Sequence, residues 1–179
     1  MRVSLILSLA ASLAATPVLA LSTAALAGAQ PPSKPVAAAF YSGKWYEIAR
    51  TPNSGQRNCE APTTEFTTKS ADSFSVRQVC RRDSATGKAK TFNTSGRIVA
   101  GSENAKFSMN FLGGLKKQEY WVLDRAEDES WAIMATPGGN FVWLLSRKPV
   151  MDEAAKAAAL SRVKALGYEK LVFPQQPEA

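Results

Sequence analysis

Two cysteines, no histidine and one unusual octapeptide bound the chemistry that this 179-residue chain can perform. The octapeptide is Gly43-Lys-Trp-Tyr-Glu-Ile-Ala-Arg50, which sets an aromatic pair beside a glutamate and an arginine. Without histidine there can be no Ser-His-Asp triad, no His-ligated zinc and no proximal-His haem. No metal, no cofactor and no catalytic residue is expected. The cysteines, Cys59 and Cys80, are an even count in a chain that reads as exported, which suggests a disulfide, the alternative being two buried free thiols. The short loop that such a bridge closes would contribute about 3 kcal/mol.

Export is read from residues 1–27. Arg2 supplies a positive start, residues 3–15 are an apolar run, and Ala25-Leu26-Ala27 is a small-residue cleavage pattern. Pro17 interrupts the run before it reaches the length of a membrane span. Residues 28–38 are Pro-rich without periodicity and read as a linker, leaving residues 39–179 as the folded domain. Removal of the leader takes away only Arg2 among the charged residues, so the mature chain stays basic, from a whole-chain net charge of +7. Its lysines and arginines are scattered, which fits a solvated surface and transient contact with a membrane surface, and no nucleic-acid partner is expected.

The elements that must position these residues are short. Eight β-type runs, at 44–50, 62–68, 74–81, 91–100, 105–112, 119–124, 130–136 and 140–146, are separated by turn signals such as "TPNSGQRN", "KSADS", "DSATGK" and "PGG". Asp152 to Leu166 breaks the rhythm as a helix, with acidic residues in its first turn, an Ala155/Ala159/Val163 face and Gly167 as its stop. Leu171 to Phe173 is short and apolar and is a candidate for a further short strand. The expected fold is all-β: an eight-stranded up-and-down antiparallel barrel with a C-terminal α-helix packed outside. Alternation puts Phe66, Phe74, Val76, Phe107, Met109, Phe111 and Trp143 on the interior face, as an apolar cavity lining. Phe141, Trp121 and Trp131 are secondary candidates for that lining. Arg50, Arg77, Lys116 and Lys117 lie near strand ends and could meet an anionic headgroup.

The octapeptide resembles the first-strand signature of the lipocalins, in the wording of the bacterial outer-membrane and apolipoprotein D-like subgroup. "VLDRAED" around Asp124 and "WLLSRKP" around Arg147 resemble the family's second and third motifs. The resemblance implies that Gly43, Trp45, Asp124 and Arg147 are structural, with Trp45 closing the barrel floor under Arg147 and Gly43 allowing a close chain approach. It also implies a Cys59–Cys80 pair. The function implied is binding, storage or transport of a small hydrophobic ligand, a fatty acid or lysophospholipid, by a non-enzymatic monomer or homodimer. The alternatives are an enzyme acting on a lipophilic substrate and an interaction module with a filled barrel. The subgroup's founding members carry a lipid anchor on a cysteine. None stands near the leader here, so a soluble periplasmic or secreted protein is expected.

Overall fold

Period-two alternation becomes eight antiparallel strands in a computed structural model that describes residues 28–177. They are β1 (Gly43–Arg50), β2 (Cys59–Ser70), β3 (Ser73–Arg82), β4 (Ala89–Ile98), β5 (Lys106–Phe111), β6 (Lys116–Arg125), β7 (Trp131–Ala135) and β8 (Val142–Ser146). Each pairs with its sequence neighbour, and β8 pairs back to β1, so the sheet closes as an up-and-down barrel. One helix, α1 (Glu153–Ala165), follows β8. Asp152 caps it by accepting from the amides of Ala154 and Ala155, and it lays Ala159 and Val163 on the barrel wall. The leader assigned to residues 1–27 lies outside the described residues.

Two apolar layers result. The inner one contains Trp45, Phe66, Phe74, Val76, Phe107, Met109, Val122, Ala132, Met134 and Leu145. The outer one, between the wall and α1, contains Ile48, Ala49, Leu123, Ile133, Leu144, Ala159 and Val163. Strands β6 to β8 are therefore apolar on both faces. Trp121 and Trp131 belong to the outer layer, not to the interior.

Two segments differ from expectation. Residues 28–37 are not a free linker. The Ala29 amide donates to Pro137 O, Lys34 forms ion pairs with Asp124 and Glu127, and Val36 is buried in the inner layer. The segment thus runs along the outside of the barrel from one end to the other. Leu171 to Phe173 adds no strand beyond a single bridge between Arg50 and Val172.

Candidate functional site

The barrel has a packed end and an open end. At the packed end a short 3-10 turn, Ala38–Tyr41, pushes Phe40 and Tyr41 into the interior. Phe40 lies 5.1 Å from the Trp45 ring, and Tyr41 lies 5.5 Å from Phe74 and 5.0 Å from Phe107, between ring centroids. Trp45 is fully buried, donates from Nε1 to Tyr41 O at 3.2 Å, and carries the Arg147 guanidinium 3.6 Å above its ring. Arg147 also donates to Ser42 O at 2.8 Å and to Phe40 O. One side chain thus ties the turn, β1 and the end of β8 together, with a cation–π contribution of ~0.5–2 kcal/mol. Gly43 is required for its φ of +90°. A Cβ there would lie 3.5 Å from Arg147, an ordinary contact, so conformation rather than close approach selects glycine.

Asp124 anchors the outside. It accepts from Arg162 Nε of α1 at 2.7 Å and pairs with Lys34 at 3.0 Å. Burial by itself would raise its pKa, but the hydrogen bonds from Arg162 and Lys34 outweigh that and hold it below the usual carboxylate value. The second sequence motif is therefore a clasp for the helix and the segment 28–37.

Above the aromatic plug the interior opens into a cavity of about 520 Å³, within the range of small-molecule sites. Of the expected lining, Phe66, Phe107, Met109, Phe111 and Trp143 reach it. Phe74 and Val76 do not: they lie in the packed layer, where Phe74 covers Gly96 of β4 and meets the rings of Phe66 and Phe107. Phe141 lies on the rim, 6.1 Å from Trp143 between ring centroids. Tyr120, not anticipated, stacks on Phe107 at 5.3 Å and faces the cavity, and burial pushes its hydroxyl up to about 12.

One wall is polar. A bulge between Glu47 and Ala49 breaks the alternation of β1 and brings both Glu47 and Arg50 into buried positions. Arg50 Nη1 donates to Glu47 Oε1 at 2.5 Å, and Arg50 Nη2 donates to Gln56 O at 2.9 Å. Gln56 Nε2 donates to Glu47 Oε2 at 2.7 Å, and Gln56 Oε1 accepts from Trp143 Nε1 at 2.9 Å. Burial raises the Glu47 pKa against the pull of Arg50. The β1–β2 loop is thereby fastened to the cavity wall. Both Nη groups of Arg50 are engaged there and only its buried Nε lacks a partner, so the side chain is not free for a headgroup.

The mouth is basic. Arg57, Arg82 and Lys90 line it, beside the disulfide-linked Cys59 and Cys80, whose Cα atoms are 5.3 Å apart across β2 and β3. Arg77 is on the outer wall opposite Glu65, and Lys116 and Lys117 begin β6 on the rim without lining the cavity.

Comparison with known proteins gives one consistent result. Residues 36–176 match a lipocalin-like domain. The outer membrane lipoprotein Blc of Vibrio cholerae is 28% identical over 141 residues, covering 76% of this chain and 80% of that protein. Blc of Escherichia coli K12 is 25% identical over 143 residues, covering 76% and 77%. Insecticyanin from the tobacco hornworm Manduca sexta superposes with a TM-score of 0.64 at 22% identity, covering 84% of this chain and 88% of that one.

Proposed function

The chain belongs to the lipocalin family, whose barrels bind small hydrophobic molecules, and from that premise we propose that its ligand is a single-chain anionic amphiphile, a fatty acid or a lysophospholipid. The observation that carries this reading is the cavity itself, with Phe107, Met109, Phe111 and Tyr120 on its walls and Arg57, Arg82 and Lys90 at its mouth. An acyl chain entering the apolar part gains about 0.8 kcal/mol per buried methylene. About ten methylenes approach micromolar affinity before ordering costs are subtracted. Arg57, Arg82 and Lys90 supply the charge for a carboxylate or phosphate, because the deeper Arg50 is already committed to Glu47.

Binding without chemistry is the reading that the side chains favour. The cysteines are joined, and both oxygens of Glu47, the acid in the cavity wall, are taken by Arg50 and Gln56. The proposed compartment is the periplasm or the exterior. Mass spectrometry of the mature N-terminus separates an unmodified chain from an acylated one like the outer membrane lipoproteins it resembles.

Displacement of a fluorescent fatty acid from the delipidated protein tests the ligand class. Long-chain carboxylates should compete, and the matching methyl esters should compete about tenfold less well, from loss of the charge-assisted contacts. Equal competition by acid and ester would remove the basic mouth from the account. No acyl ligand binding at all would remove the reading.

A further inference from the structure

We infer that the open rim of the barrel is a docking surface for an anionic lipid bilayer. The inference stands on the rim alone and does not depend on which ligand the cavity takes.

The loops at the two ends of the barrel differ in charge. The connections at the packed end, residues 71–72, 99–105 and 126–130, carry Asp72, Glu103, Glu127, Asp128 and Glu129 and neither lysine nor arginine. Lys34, Arg97 and Arg125 at that end are taken up in ion pairs with these acids, while Lys44, Lys69, Lys106 and Lys148, on the strand ends and after β8, form no salt bridge among the described residues. The open end gathers its cations in and beside the loops. Arg57 lies on the β1–β2 loop, Arg82, Lys88 and Lys90 flank the β3–β4 loop, and Lys116 and Lys117 follow the β5–β6 loop. Among the described residues none of these six forms a salt bridge. Asp83 and Glu60 are the opposing charges nearby, and Glu60 accepts a hydrogen bond from the Gln175 amide.

The same rim holds apolar side chains in solvent. Leu112 is 75% and Leu115 91% exposed, on either side of the Gly113-Gly114 turn that caps β5 and β6. Phe141 and Phe92 are exposed at the same end. A leucine-tipped turn followed directly by Lys116-Lys117 has the two parts of an interfacial anchor: apolar side chains for the acyl boundary and cations for the headgroups. The patch joins a leucine-tipped turn to charge spread over several segments. A bilayer demands no shape complementarity, and docking there would set the cavity mouth against the phase in which hydrophobic molecules reside.

Co-sedimentation of the purified protein with vesicles tests this. Binding should be strong to phosphatidylglycerol-rich vesicles, weak to pure phosphatidylcholine, and reversed by salt. Replacing both lysines, Lys116→Glu with Lys117→Glu, should lower the partition coefficient about 30-fold or more, since each basic residue contributes roughly fivefold at an anionic surface. Leu112→Ser with Leu115→Ser should lower it about tenfold, with circular dichroism and fatty-acid displacement unchanged as controls on fold and cavity. Orientation is read from brominated-lipid quenching above the level of the parent protein: Leu115→Trp should be quenched and Asp128→Trp should not. Absence of vesicle binding, equal binding to both lipid compositions, retention of binding by the lysine variant, equal quenching at both positions, or a rim-dependent dimer that leaves vesicles untouched would each overturn the inference.

Discussion

Replacing Trp45 with alanine should unfold the packed end before it touches the ligand. The indole is fully buried between Phe40 and the Arg147 guanidinium, and its removal leaves a cavity in a close-packed aromatic cluster. Large-to-small changes of this kind cost about 3–5 kcal/mol. Arg147 retains its carbonyl partners at Phe40 and Ser42, so the lost cation–π term of ~0.5–2 kcal/mol sits within that figure rather than on top of it. For a domain of this size the melting temperature should fall by roughly 10–20 °C. Urea denaturation of the parent, Trp45→Ala, Arg147→Met and the double variant gives the coupling directly. Trp45 does not line the cavity, so the affinity of the folded variant for a fatty acid should stay within about twofold of the parent, well under the tenfold that 1.4 kcal/mol represents. A variant with unchanged stability and abolished binding would refute the assignment of this motif to sealing the barrel.

Three other outcomes follow from the geometry. Gly96→Ala should destabilise by about 1–3 kcal/mol in urea, because the new Cβ would stand 2.2 Å from a Phe74 ring carbon that Tyr41, Phe66 and Phe107 hold in place. Glu47→Gln should cost about 3–5 kcal/mol by leaving the Arg50 charge buried and uncompensated, and replacing both residues with apolar ones should recover most of the loss. Asp124 has a folded pKa below its unfolded value, so its ionised form stabilises fully above the ordinary carboxylate pKa, and that contribution is lost as pH falls through the depressed value. The urea midpoints of the parent and Asp124→Asn should therefore differ at neutral pH and converge in acid.

The octapeptide, the turn spacing and the capped helix made the barrel legible, because hairpin chemistry and alternation are local properties. The cavity was only partly so. Alternation separates two faces of a strand, but Trp121 and Trp131 lie on an outer face that α1 and the segment 28–37 make as apolar as the inner one. Height along the axis is set by strand tilt and register, which no single strand encodes. Phe74 and Phe107 thus have the same sequence signature, yet the first is confined to the packed layer and the second reaches the cavity. The Glu47–Arg50 pair was hidden by the bulge, since strict alternation places residues 47 and 50 on opposite faces. The basic mouth was hidden because Arg57, Arg82 and Lys90 come from three separate segments that only barrel closure brings together.

A crystal of the protein soaked with a terminally brominated fatty acid tests the central claim most directly. The account predicts an anomalous bromine peak inside the barrel against Phe107 and Met109, with the carboxylate toward Arg57, Arg82 and Lys90. A bromine peak only on the outer surface, or a chain bound with its carboxylate at the aromatic plug, would contradict it.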